Sequence, residues 1–286
     1  MESRRVRLIT HTGCDMPLQE AKSLHIGMVP DKVIFGETEY RNMTEITAED
    51  FYEKMEAARE LPTSSGPSVG DFVRAFREAA EDADEILCLM ITSRMSGCYS
   101  TAVAAAGTVK RQGLKVPVYV YDTQQCSHGM AQMVRAAAKM AEEGDSALQI
   151  MEKLSDLQGR MGVYFVLESL KNARKGGRVG AIKAIAADAL GIKPLLLFAD
   201  GLVSDYAIAR GMADGMERVA SRFFSEGTQE ETVTVFHAAA PERAEEMKKI
   251  ILREVPGAVI RIESVGPVIG IYTGSGCVGI AFTKKD

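Results

Sequence analysis

The chain is 286 residues long, 46% hydrophobic and 26% charged, with a formal charge of −5 at pH 7. That balance excludes a long disordered chain, a collagen-like repeat and a membrane bundle, and the acidic excess leaves a nucleic-acid partner unexpected. Length alone predicts about two domains. Residues 1–5 run into a strand-like stretch without the apolar core of a signal peptide, so a cytoplasmic location is expected, with no integral membrane segment.

In chain order, residues 5–10 read as a strand and 17–25 as a short helix, followed by short extended runs at 26–29 and 33–35. Thr47 with Asp50 three residues on gives a helix start for 47–59. Residues 61–70 are dense in Pro, Ser and Gly and read as a loop. Residues 68–81 form a helix with Phe72, Val73 and Phe76 on one face. Strand 86–91, helix 96–111, strand 116–121 and helix 127–143 complete a βαβα series, which implies a mostly parallel three-layer α/β domain. Helix 146–158 and strand 162–167 follow. Residues 194–198 and 202–208 flank Asp200-Gly201, a hairpin signal. Helices at 211–225 and 241–254 and strands at 232–237, 258–262 and 277–282 complete an α+β domain with a mixed sheet. The predicted domains are 1–160 and 161–286.

Five cysteines are present, and four lie in Gly/Ser/Thr-rich turns: Cys14, Cys98, Cys126 and Cys277. The odd count and wide spacing argue for reduced thiols. No CxxC or HExxH motif occurs, so no metal and no cofactor is called for by local spacing. Small apolar lining is the simpler role for such thiols. If the loops converge, the thiols gather near His11 and His128, and an enzyme using Cys14, Cys98, Cys126 or His128 as nucleophile or metal ligand becomes the alternative.

The turns after the predicted parallel strands are rich in hydroxyls: Thr10 and Thr12, then Thr92, Ser93 and Ser96, then Thr123 and Ser127. Open α/β sheets place ligands at such turns, and helix N-termini attract carboxylate or phosphate. Helix capping accounts for any one of these hydroxyls alone. Residues 274–279 spell GxGxxG, but no βαβ unit follows, so they do not mark a dinucleotide site. Residues 171–183 carry five basic side chains and no acid. They read either as a solvated helix end or as a docking loop for an anion or an acidic partner, with Arg174, Lys175 and above all Arg178 as candidates. The 15 methionines either fill cores or line an adaptable apolar tunnel.

These turns, in this order, resemble the DegV family of bacterial fatty-acid-binding proteins. Residues 92–102 (TSRMSGCYSTA) are similar to its serine loop and 121–130 (YDTQQCSHGM) to its second such loop. Residues 169–201 (SLKNARKGGRVG through LGIKPLLLFADG) are similar to its Lys-Gly-Gly-Arg segment and Ile-Lys-Pro strand, and 270–282 (GIYTGSGCVGIAF) to its closing glycine-rich strand. The resemblance implies a carrier, not a catalyst, that buries a long-chain fatty acid and holds its carboxylate with hydroxyls. A separate fatty-acid kinase would convert the presented acid to an acyl phosphate for phospholipid synthesis. It assigns the carboxylate to Ser96 with Ser93 beside it, to Thr63 or Ser64, and to Tyr272, with His11, Thr12, Gly97, Ser127 and Thr273 in the ligand loops. The family's C-terminal His is replaced by Tyr272, which still donates a hydrogen bond, while a His appears at 11.

Overall fold

The computed structural model describes residues 5–177, 191–228 and 231–285. These form two compact units: residues up to 32 with 65–159, and 33–64 with 160 onward. The single cut expected near 160 misses an excursion. Residues 33–64 belong with the second unit, where Phe51 and Tyr52 pack beside Gly270 and the Tyr52 hydroxyl bonds the Val265 carbonyl.

The first unit is built on a four-stranded sheet in the order β2-β1-β6-β7, parallel throughout. Its strands are β1 (Val6–His11), β2 (Gly27–Val29), β6 (Glu85–Met90) and β7 (Val118–Asp122). Every residue of β6 is buried, as expected for a central strand covered on both faces. The connections run from β1 outward to β2, then back past β1 to β6 and on to β7. Right-handed crossovers therefore place α1 (Leu18–Ser23) on one face and α3 (Val69–Ala79) with α4 (Cys98–Arg111) on the other. Helices α5 (Ser127–Glu142) and α6 (Ala147–Gly159) join the face of α1, and Arg135 of α5 holds Glu20 of α1 through two bonds of 2.9 and 2.7 Å. The helix predicted over 68–81 starts with a reciprocal cap, in which Ser68 accepts from the Asp71 N–H and Asp71 from the Ser68 N–H.

The order of connection reverses at β1, so the C-terminal ends of β1 and β6 form the topological switch point of the sheet. That end carries a one-turn 3-10 helix, Thr12–Cys14, and the turn from Ile91 into α4.

The second unit holds a six-stranded sheet in the order β10-β9-β8-β13-β11-β12. Strands β8 (Met161–Val166), β9 (Ile192–Ala199), β10 (Leu202–Arg210), β11 (Val233–His237) and β13 (Val278–Thr283) pair antiparallel; β12 (Ile260–Ser264) runs parallel to β11. This is the mixed sheet that the second half predicts. Asp200 and Gly201 both have positive φ (50° and 73°), the tight turn that a two-residue hairpin requires. Helices α8 (Gly211–Glu226) and α9 (Pro241–Glu254) cover one face, packing Met216, Val219, Phe223, Met247 and Ile251 on Val166, Val235, Val278, Ile280 and Phe282.

The excursion contributes β3 (Lys32–Phe35), β4 (Thr38–Arg41), α2 (Ala48–Ala57) and β5 (Thr63–Ser65), with the strands in the order β4-β3-β5. Two expectations are corrected here. The stretch 61–70, read as loop, contains β5, whose Thr and Ser side chains satisfy a short strand as readily as a turn. The strand predicted at 277–282 is β13, but the stretch before it, likened with it to one closing glycine-rich strand, is the helix α10 (Pro267–Thr273), and Gly274 and Gly276, at φ 67° and 85°, turn the chain between them. Pro267 at the first helical turn signals that start. Helix α2 is tied to α10: the Tyr52 hydroxyl donates to the Val265 carbonyl at 3.0 Å, and a Cβ at Gly270 would lie 2.5 Å from that hydroxyl. Buried methionines, including Met130 and Met133 of α5 and Met216 and Met247 of α8 and α9, fill the cores of both units.

Candidate functional site

In the first unit, the end of β1 is fixed by polar bonds. The Thr10 hydroxyl donates to the Leu89 carbonyl at 3.0 Å. The Thr12 hydroxyl donates to Asp31 Oδ2 at 2.8 Å and accepts the Asp31 N–H at 2.9 Å. His11 Nδ1 lies 2.9 Å from Asp31 Oδ2, and its Nε2 accepts the Ile91 N–H at a long 3.4 Å. Nδ1 is also approached by the Gly13 N–H at 3.3 Å, so a backbone N–H faces each ring nitrogen while Asp31 lies beside Nδ1. The other Asp31 oxygen faces the Cys98 thiol at 3.9 Å. Asp31 escapes sequence reasoning because an isolated Asp after Pro30 looks like any turn residue.

Of the hydroxyls predicted here, Ser96 is half-buried and accepts the Cys98 N–H at 3.2 Å. The helix predicted from 96 thus begins at Cys98, with Gly97 as its exposed cap residue. Ser93 is exposed, and its N–H donates to Asp122. Ser127 has φ 47°, and its hydroxyl donates to Asp15 Oδ2 at 2.6 Å, so that hydroxyl is already held by an internal carboxylate. Burial pushes the thiols up, to about 12 for Cys14, about 11 for Cys98 and about 12 for Cys126, with the nearby Asp15 and Asp31 charges adding to it. Uncoordinated, none is a nucleophile at neutral pH. His128 is buried at the start of α5.

In the second unit, the Ser64 hydroxyl of β5 and the Tyr272 hydroxyl of α10 are hydrogen-bonded at 3.2 Å. Thr63 is exposed. Short helix α7 (Lys171–Lys175) supports this pair. Asn172 donates to the Ile271 carbonyl at 3.2 Å, and a Cβ at Gly176 would sit 2.4 Å from the Tyr272 ring, so the glycine lets backbone and ring touch. In the next turn, the Thr273 and Ser275 hydroxyl oxygens are buried without a hydrogen-bond partner among the described residues. Ser275 was not expected at the site; its place inside a GxGxxG string drew attention to the glycines instead. Arg174 and Lys175 are exposed, and Arg178 lies outside the described residues.

Glu168, just after β8, takes hydrogen bonds from Lys193 and from Arg243, the latter at 2.8 Å, and Arg243 also donates to the Gly276 carbonyl at 2.8 Å. Burial acts to raise the Glu168 pKa, and these cationic donors outweigh it, holding the carboxyl below its usual range. A depressed folded-state value gives stability that is present above the unfolded pKa and lost as pH falls through the carboxylate range. Urea midpoints taken between neutral pH and pH ~3 are expected to fall less steeply for Glu168→Gln than for the wild type; equal slopes would mean that the cluster adds nothing.

The chain is thus a two-unit α/β protein with a hydroxyl-bearing sheet end in the first unit and a paired Ser–Tyr hydroxyl in the second. The sequence profile described as "uncharacterised protein, DegV family" matches residues 5–285, and the chain belongs to the DegV family. A DegV domain-containing protein of Halalkalibacterium halodurans is 31% identical over 281 residues, 97% of this chain and 98% of that one. Among solved structures, a fatty-acid-binding DegV family protein from Thermus thermophilus superposes with a TM-score of 0.88 at 29% identity, covering 98% of this chain and 99% of the other. A stearic-acid-binding protein from Eubacterium ventriosum gives 0.89 at 25% identity, covering 98% of each. Among the described residues no helix is long and apolar enough to cross a membrane.

Proposed function

We propose that this protein is a fatty-acid carrier, which binds one long-chain acid and performs no chemistry on it. The observation that carries this reading is the superposition, over nearly the whole chain, on solved relatives that are described as fatty-acid binding. Physical chemistry agrees. Burying a 16-carbon tail is worth roughly 11–12 kcal/mol gross at ~0.8 kcal/mol per methylene, so the tail supplies most of the affinity and the polar end sets orientation.

The carboxylate is assigned to hydroxyls. In the second unit the Ser64–Tyr272 pair supports this as two hydroxyls brought together, and the Thr273 and Ser275 oxygens, buried without a hydrogen-bond partner among the described residues, lie in the adjoining turn. Ser96 and Ser93 are the candidates from the first unit and Thr63 the further one from β5. Presentation of the acid to a separate fatty-acid kinase completes the reading; Arg174, Lys175 and Arg178 are its candidate docking side chains. An enzyme built on the loop cysteines is less favoured, because burial keeps those thiols protonated.

Solvent extraction of the purified protein followed by mass spectrometry is expected to release about one long-chain fatty acid per chain. Tyr272→Phe, which removes one donor to a charged group worth ~1.5–3 kcal/mol, is expected to weaken binding of added oleate by roughly 10- to 150-fold. Absence of lipid together with failure to bind palmitate or oleate would end the carrier reading. Unchanged affinity in Tyr272→Phe would remove only that residue from the site.

A further inference from the structure

The end of β1 gathers a set of groups that the proposed function assigns no part in holding the carboxylate. His11 ends β1, Asp31 follows β2 and Cys98 opens α4, so three separate elements deliver an imidazole, a carboxylate and a thiol to the switch point of the parallel sheet, where open α/β sheets bind ligands. All three are buried, and their ligand atoms lie within 4.8 Å of one another. We propose that His11 Nδ1, Asp31 and Cys98 Sγ form a binding site for a transition-metal ion of the zinc type.

Charge is the first argument. Asp31 is 2% exposed, and among the described residues no lysine or arginine reaches it; its only ionic neighbour is His11. A buried carboxylate without a cation is costly. A divalent ion held by one carboxylate and one thiolate makes the site neutral. The second argument is donor chemistry: sulfur, nitrogen and one oxygen suit zinc or cobalt(II) and not magnesium or calcium. Three protein donors also leave a fourth position open, the pattern of non-structural zinc sites.

Geometry requires little movement. Zinc bonds of about 2.0–2.3 Å at tetrahedral angles separate donors by roughly 3.3–3.6 Å; here Nδ1 lies 2.9 Å from one Asp31 oxygen and Sγ 3.9 Å from the other, and one ligand atom from each residue lies within 4.8 Å of the other two. The thiol is held in place: a Cβ at residue 66 would lie 2.4 Å from Cys98 Sγ, so only glycine there leaves it room. The Thr12 hydroxyl donates to Asp31 Oδ2 at 2.8 Å and so orients the carboxylate, as outer partners of metal ligands do. On binding, Nδ1 gives its lone pair to the ion and the neutral ring holds its proton on Nε2, with the Gly13 N–H withdrawing from Nδ1. The long approach of the Ile91 N–H is given up, and the Cys98 S–H proton passes to solvent.

The test uses the full chain freed of any affinity tag and stripped with a chelator, then dialysed against zinc chloride or cobalt(II) chloride. About one metal per chain is expected, with a thiolate-to-cobalt charge-transfer band in the near ultraviolet. Cys98→Ser should abolish that band, and Cys98→Ser and Asp31→Asn should each lower zinc affinity by more than roughly a hundredfold, beyond the 10–100-fold expected of an outer partner such as Thr12→Val. Cys277→Ala, which removes a buried thiol before β13, should leave both readings unchanged. Circular dichroism identifies any variant that fails to fold, and the sulfur band of the wild type then decides alone. No stoichiometric metal, a cobalt spectrum without a sulfur band, or equal binding by folded Cys98→Ser overturns the proposal. The outcome is independent of lipid extraction, which reads a different ligand.

Discussion

Ser64→Asp is expected to empty the protein of fatty acid. An aspartate at this half-buried position still accepts the Tyr272 O–H that now meets Ser64 at 3.2 Å, so the local fold is kept. The ligand carboxylate, however, then meets a like charge. Two unit charges ~4 Å apart at an effective dielectric near 20 repel by about 4 kcal/mol, or roughly a thousandfold in affinity. Ser64→Asn, of similar shape and neutral, should stay within about tenfold of the wild type. Extraction and mass spectrometry of the two variants read the difference. If Ser64→Asp still carries lipid as the wild type does, the carboxylate lies elsewhere, and Ser96 becomes the leading candidate for its partner.

Phe282→Ala should be the most damaging single truncation in the second unit. The ring is 1% exposed, stacked on Tyr164 at 5.9 Å and met edge-on by Phe223 at 5.4 Å. Its partner across the β13–β8 ladder is Gly162, where a Cβ would come within 2.8 Å of the ring. The glycine leaves space for the aromatic, and deleting the aromatic leaves that space empty. A loss of about 3–5 kcal/mol is expected, much of the ~5–15 kcal/mol that a domain has. Urea unfolding should show it as a lower midpoint with an unchanged slope. A shift below ~1 kcal/mol would mean that the neighbours collapse into the gap.

Periodicity and punctuation made most of the fold legible. The parallel series was readable because Ile86 and Leu87 lie in an unbroken apolar run, and the hairpin because Asp200-Gly201 can adopt positive φ. What escaped were elements whose residues have weak preferences: β4, with Thr38 and Glu39 exposed, β5, with Thr63 and Ser65 exposed, and α10, whose glycines resemble a turn. The site was legible only in part. Ser64 and Tyr272, 208 positions apart, were reached through the resemblance, and the structure adds their hydrogen bond. The His11–Asp31–Cys98 cluster has separations of 20 and 67 residues, so no spacing motif could announce it; only the return of the chain to one sheet end brings these groups together. Ser127 was legible as a loop hydroxyl, but its tie to Asp15, 112 residues away, was not.

The assignment of residues 33–64 to the second unit also bears on synthesis of the chain. The ribosome delivers this segment before the first unit is complete, yet its permanent neighbours, α7 and α10 among them, come after residue 160. At ~5–20 residues per second, the intervening 65–159 take roughly 5–20 s to emerge. Throughout that interval Phe51 and Tyr52, both buried in the finished protein, have Phe35 and each other but not the Gly270 and Val265 backbone that covers them later. Nascent chains halted before residue 160 should therefore expose the apolar face of α2 to holding chaperones, and chains extended through α10 should release it.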